Sequence, residues 1–291
     1  MNEPRTTSAM ALSTSRAPDL LVDGVPMPAL PKAPHLQIRR SRIGTIGTWA
    51  CVVLAVMAVV ASPQALPMAG VFLVCVLGLS NMSMQRPFAE AFNVETAKLL
   101  AGDVDGAAAG FDDIARRYRQ PMARALTLFN LGLVELRRGN LEDALSLFGA
   151  VYASKRLKAQ PLIGAQLPAL MASVYARLGD VAGARAWLDK AKDRPPLGEP
   201  ARAYAEALLL VREGRHDDAE AAYERTWPLF LNGQAQQLAE ARIFRAFAAA
   251  SRGAPTTTLL APLRPHTPGT WQHLAAGWPE LQAFLADEQL L

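Results

Sequence analysis

The stretch Leu128-Phe129-Asn130-Leu131-Gly132, followed by Gly139-Asn140, Ala144 and Phe148, decides how this chain is read. Its apolar residues recur three and four apart, the spacing of one helix face. Gly139 breaks that periodicity and supplies the left-handed conformation that closes a helix. Asn140 is a residue type that caps the next one. Ala144 is small where two helices cross, and Phe148, one turn later, fills the space beside the crossing. The segment therefore predicts two antiparallel helices around a glycine turn.

The relation recurs along the chain. A glycine stands five residues before an alanine at Gly102/Ala107, Gly139/Ala144, Gly179/Ala184 and Gly214/Ala219. Phe111, Phe148, Leu188 and Tyr223 stand four residues after those alanines. The glycines are 37, 40 and 35 residues apart. Asp103 and Asp180 follow their glycines as Asn140 follows its own, and suit the same capping position. One helix pair cannot bury its apolar face alone, so such a period implies stacked pairs. A fifth pair is expected at about Ala235–Arg252 and Gly253. There the pattern fails, because Thr258 and Pro262 stand where the alanine and the large residue belong, as in an atypical terminal repeat. Pro262, Pro265 and Pro268 predict a loop, and the rest, with Trp271 and Trp278, predicts one or two short helices closing the end.

Over about residues 88–228 the chain resembles a tetratricopeptide repeat array. The family's Trp/Leu-x2-Leu-Gly-x2-Tyr element is best matched at Leu128, Leu131 and Gly132, and Tyr175 takes the family's Tyr position in the third copy. The departures are spacings above the family's usual period, helix-ending prolines matched only loosely at Pro121, Pro161, Pro196 and Pro228, and Glu95 where the first copy should carry a small residue. The resemblance implies an all-α fold, an α-solenoid of four to five helix pairs, whose first helices line a concave binding face. On that face it places Phe92, Phe129, Leu133, Tyr204 and Leu208. Arg137, Arg177 and Arg212 each stand two residues before a turn glycine and would align into a basic stripe beside an apolar groove. Such a groove fits an acidic or amphipathic segment of another protein. The alternative is three solvated cations favoured by helix C-termini. The Lys/Asn arrangement of family members that bind chaperone tails is absent, since Phe129 and Leu133 occupy those places.

Ahead of the repeats, no charged residue occurs from Ile43 to Met84. One helix of that length far exceeds the roughly 20 residues needed to cross a bilayer. Ser62-Pro63-Gln64-Ala65-Leu66-Pro67 breaks the run, since each proline removes a backbone donor and restrains the residue before it. Two spans are expected, about Ile43–Ala61 and about Met68–Met84, as a transmembrane hairpin over 43–85. Each apolar residue favours insertion by roughly 0.3–0.6 kcal/mol at the helix centre. Gly44, Gly47, Gly70 and Gly78 allow close helix approach. Lys32, Arg39, Arg40 and Arg42 precede the first span, Arg86 and Lys98 follow the second, and the turn has no cation. The distribution of cations places both termini in the cytoplasm. Competing readings are a cleaved signal ending near Ala61, a twin-arginine signal at Arg39-Arg40, and a single inserted span that would leave the repeats outside.

Residues 1–42 form a flexible, Pro-rich basic tail in this reading, with six Lys/Arg against three Asp/Glu. Pro28-Ala29-Leu30-Pro31 has the PxxP spacing of a recognition segment. Residues 86–291 hold 24 Lys/Arg and 23 Asp/Glu, so the repeats (86–253) and the closing segment (254–291) are together nearly neutral. That distribution argues against nucleic acid as a partner, although the overall pI is about 9.3. Aromatic residues are only 7% of a chain that is 51% hydrophobic, which suits Ala- and Leu-rich helices over strands.

No phosphate loop, HExxH helix or GxSxG elbow occurs. His35, His216, His266 and His273 are not at metal-ligand spacing, and Cys51 and Cys75 form no CxxC. His216-Asp217-Asp218 reads as a first helical turn, and Asp103-Val104-Asp105-Gly106 as a capping turn lacking the rest of a calcium loop. The expectation is a non-enzymatic scaffold with no cofactor, integrated into a bacterial inner membrane. It would bind other proteins on the cytoplasmic face, within a membrane complex or as a homo-oligomer. The alternative is an assembly or quality-control adaptor with periplasm-facing repeats.

Overall fold

The computed structural model describes residues 20–22, 25–27, 86–154, 160–192, 196–232, 235–266 and 269–291. The expected spans at 43–85, both cysteines and the PxxP segment lie outside these residues. No helix among the described residues is long and apolar enough to cross a membrane.

Eleven α-helices occur among the described residues. They are α1 (86–100), α2 (Val104–Arg117), α3 (Pro121–Arg138), α4 (Leu141–Ala153), α5 (Pro161–Leu178) and α6 (Val181–Lys192). Then come α7 (Glu199–Arg212), α8 (His216–Leu231), α9 (Ala235–Ser251), the single turn α10 (Thr257–Leu260) and α11 (Pro279–Asp287). In the tail expected to lack regular structure, β1 (Leu20–Val22) pairs antiparallel with β2 (Val25–Met27), Val22 opposite Val25.

Each helix pair turns on a glycine, and all five turns close identically. At Gly139, with φ +80°, Asn140 N donates to Glu135 O and Gly139 N to Leu136 O, satisfying the last carbonyls of α3. The same two bonds recur at Gly102, Gly179, Gly214 and Gly253. Beyond four of these turns Ala107, Ala144, Ala184 and Ala219 are completely buried, as are Phe111, Phe148 and Tyr223 one turn later. The helix crossing is equally tight from the other side: a Cβ on Gly132 would lie 2.5 Å from the Phe148 ring. The first pair solves its crossing in reverse. Glu95 stands where Gly132 stands in the second pair, and the residue it meets is Gly110, whose Cβ would lie 2.0 Å from the Glu95 carboxyl group.

The capping expectation holds at two of three positions. Asp103 Oδ1 accepts from Gly106 N and Asp180 Oδ1 from Gly183 N, each at 2.9 Å. Asn140 occupies the cap position without making that bond; its Nδ2 donates to Glu135 Oε2 at 2.7 Å instead. The prolines also differ from expectation. Pro121 and Pro161 open α3 and α5, where the missing N–H costs nothing, Pro196 opens a 3-10 turn, and Pro228 lies inside α8.

Antiparallel succession gives the stack two edges. At the glycine-turn edge Arg138 bonds Asp105, Arg185 bonds Glu213 and Arg252 approaches Asp217, joining the end of each first helix to the start of a neighbouring second helix. At the opposite, connection edge, Phe88 near the start of α1 meets Tyr118 just past the end of α2, ring centroids 5.3 Å apart. Gly198 abuts Ala165 O, and Gln237 Nε2 donates to Pro200 O, so the starts of α5, α7 and α9 share this edge.

After α9 the expected second helix shrinks to α10 and a 3-10 turn at Ala261–Leu263. The chain then returns through a 3-10 turn at Gln272–Ala275 into α11. Trp278 stacks on Phe244 of α9 at 5.9 Å, and Phe284 meets Phe247 at 5.5 Å. Trp271, Leu274, Trp278, Leu281, Leu285 and Leu290 are all buried. Each such side chain contributes roughly 1.5–3 kcal/mol, so this segment is an integral part of the core rather than a loose flap.

Candidate partner-binding face

The eight residues expected on the concave face sit on α1, α3, α5 and α7, and the structure closes most of that face. Phe129 is buried against Phe148, centroids 5.8 Å apart, within its own pair. Phe92 is half-buried between Phe88 and Phe111. Leu208 is fully buried. Tyr204 is buried against Phe244 of α9, and its hydroxyl donates to Glu240 Oε2 at 3.0 Å. Phe92 and Phe129 point into packing within their own pairs, Tyr204 into the contact between α7 and α9, and Leu208 into the core. Leu133 remains half-buried.

The three arginines stay in one row but are occupied by the chain itself. Arg137 Nη1 donates to Leu99 O at 2.6 Å, satisfying a carbonyl at the end of α1. Arg177 is 2% exposed, and its Nη2 donates to the carbonyl of His273 in the returning segment. The Arg212 guanidinium lies 4.4 Å from the centroid of the Trp278 ring, with Glu280 3.9 Å away. The expected solvent-facing stripe is therefore a row of clamps. The physical reason is the return of residues 271–280 across the glycine-turn ends of α3, α5 and α7: Ala276 Cβ would lie 3.1 Å from a Cβ on Gly139.

Under this strap Arg137, Arg177, Tyr204, Glu240 and His273 form one electrostatic group. Burial lowers the Arg177 and Arg137 pKa values, and Glu240 opposes that in both. Burial and Glu240 push the Tyr204 hydroxyl well above its ordinary value, so it stays a donor. Burial also lowers His273, opposed by Glu240 and reinforced by Arg177 and Arg137. Its Nδ1 lies 3.1 Å from Thr270 O, which can only accept, so Nδ1 carries the proton of the neutral ring. One carboxylate thus faces two guanidinium groups, and a neutral imidazole is what the arrangement tolerates. Glu240 was not singled out from sequence. It stands thirteen residues before Gly253, where the arginines stand two before their glycines, so the repeat register carries no signal for it.

The row continues to one open position. Leu100 stands two residues before Gly102, as the arginines stand before their glycines, and it is 66% exposed. Thr96, one turn back, and Leu133 and Arg137 on α3 occupy the corresponding positions of neighbouring first helices. No group of His, Cys, Asp and Glu side chains that could hold a metal occurs among the described residues. Compared with family models, curated proteins and solved structures, the chain gives no match.

Proposed function

We propose that this chain is a membrane-anchored scaffold of tetratricopeptide type that holds a protein partner at the cytoplasmic face of a bacterial inner membrane. The observation that carries the reading is the repeated register. Five turns share one hydrogen-bond pattern, and four share a buried alanine followed by a large side chain. A chain built of stacked pairs presents an extended surface in proportion to its length, and that surface serves binding. The uncharged run from Ile43 to Met84 supplies the anchor.

The partner face is the part of the first-helix row that the C-terminal strap leaves open: Thr96 and Leu100 on α1 with Leu133 and Arg137 on α3. That composition suits an amphipathic segment with an apolar face and an acidic flank more than a uniformly acidic one. The test is a crosslinking pull-down from membranes with the full chain, its Leu100→Glu variant, and the triple variant Arg137→Gln, Arg177→Gln, Arg212→Gln. Loss of a partner with Leu100→Glu, in a protein that keeps its helical content, supports the reading. Identical partners from all three proteins would overturn it. A reporter fused after Leu291 and active only in the cytoplasm supports the topology; activity only outside selects the periplasmic adaptor.

A further inference from the structure

The two edges of the stack differ in charge. At the glycine-turn edge both signs are exposed: Asp105 and Asp217 are almost fully exposed and Glu142 and Asp143 are exposed at the start of α4, while Arg185 and Arg215 are more than half exposed. At the connection edge the outermost side chains are mainly cationic: Arg86, Arg116, Arg117, Arg119 and Lys192 are exposed and the half-buried Lys190 lies over the Trp187 ring, with Glu199 an exposed acid at the start of α7. Their acidic partners Glu90, Asp112, Asp113 and Asp189 lie one turn further in along the helices, so the cations form the rim. Helix dipoles favour cations at the ends of α2 and α6, but they do not account for this rim. Arg86 is at the start of α1, where the dipole disfavours a cation, and Arg119 lies beyond the end of α2.

Two further observations fall on the same edge. Leu197, before α7, and Leu231, the last residue of α8, are 54% and 55% exposed. Exposed leucines beside a cationic rim are the composition of a surface that seats at a lipid interface. The uncharged run to Met84 also ends two residues before α1, so the chain reaches the stack at this edge.

We infer that the connection edge is a docking surface for an anionic phospholipid bilayer, with Arg86, Arg116, Arg117, Arg119, Lys190 and Lys192 on the headgroups and Leu197 and Leu231 in the interface. The inference rests on the proposed reading of residues 43–84 as membrane-spanning. It adds an orientation: the stack stands on the bilayer by its connection edge and turns its glycine-turn edge, of mixed charge, away.

The experiment uses the full chain with Cys51→Ser and Cys75→Ser, carrying one new cysteine at Leu197, Leu231 or Asp143 for an environment-sensitive fluorophore. Each protein is reconstituted into nanodiscs of phosphatidylcholine alone or with about 30% phosphatidylglycerol, with nitroxide-labelled lipid as quencher. Labels at 197 and 231 are expected to be quenched and that at 143 not, more strongly with phosphatidylglycerol. Arg116→Gln, Arg117→Gln, Arg119→Gln, Lys190→Gln and Lys192→Gln together are expected to abolish that lipid dependence with helical content unchanged. Equal quenching at 197, 231 and 143 would overturn the inference. If the protein leaves the discs in about 0.5 M salt, where surface charges are screened, it is the spanning-segment reading that fails. The edge is then read by co-sedimentation with phosphatidylglycerol vesicles at low salt. Binding that falls at least about tenfold in the Gln variant sustains the inference, and no binding overturns it.

Discussion

The guanidinium of Arg177 donates to the main-chain carbonyl of His273, 96 residues further along the chain. This bond ties the end of α5 to the strap that crosses it, and it buries the guanidinium. A buried guanidinium gives up much hydration, so its net worth depends on the carbonyl and on Glu240 nearby. Arg177→Ala leaves that carbonyl unsatisfied and Glu240 with less compensation, and is expected to cost about 2–3 kcal/mol of unfolding free energy, read as a lowered urea midpoint of the full chain. Arg177→Met keeps the packing without the burial cost of a charge and should lose less. Faster amide exchange confined to residues 271–276 in Arg177→Ala would locate the effect at the strap, whereas an unchanged midpoint would deny the clamp.

The two crossing glycines differ in what they face. A methyl group on Gly132 meets the Phe148 ring, which is fully buried and cannot withdraw. Gly132→Ala is expected to destabilise by about 2–3 kcal/mol through overpacking. A methyl group on Gly110 meets only the end of the flexible Glu95 side chain. Gly110→Ala should cost about 1 kcal/mol, and most of that should return in the double variant with Glu95→Ala. Additive effects of Glu95→Ala and Gly110→Ala in a thermal melt would show that the two positions do not compensate each other.

The helix pairs were legible because their signal is local. A glycine, a cap residue, an alanine and a large side chain lie within ten residues, and each has one backbone or packing reason to be there. Gly253 likewise foretold a fifth turn, whereas the failing pattern at Thr258 and Pro262 read as an atypical end and a loop, not as the short helical turns that stand there. The face was not legible, because it depends on distances between pairs. Tyr204 reads as a groove residue until the approach of α9 covers it, and nothing local to α5 says that His273 returns to Arg177. Glu95 read as a defect of the first repeat; its compensation at Gly110 is visible only once α1 and α2 are packed together.

Asp103 and Asn140 separate position from bonding. Both follow a turn glycine, yet only Asp103 accepts a hydrogen bond from the next helix, at Gly106 N. Asp103→Ala is expected to lower stability by about 1 kcal/mol. Asn140→Ala removes only an exposed bond to Glu135 and should cost a few tenths of that. Equal losses in matched urea titrations would mean that Asn140 caps α4 in solution.

His273 makes the strap sensitive to pH in a direction that can be worked out. Its pKa in the folded chain lies below the ordinary 6.5, first because it is buried, with Arg177 and Arg137 adding to the effect against the pull of Glu240. The unfolded chain therefore takes up a proton at higher pH than the folded chain does. The contribution of the neutral ring is fully present above about pH 6.5 and is lost as pH falls through the folded value. Glu240 on α9, Arg177 on α5 and Arg137 on α3 act on the half-buried ring through their charges, and the Thr270 carbonyl accepts from its Nδ1, so a protonated imidazole adds a third cation beside one carboxylate. His273→Gln can keep a donor toward Thr270 without titrating. Wild type is expected to lose more stability than His273→Gln between about pH 7.5 and pH 5.5 in parallel urea titrations. Identical slopes over that interval would place His273 in water rather than under the strap.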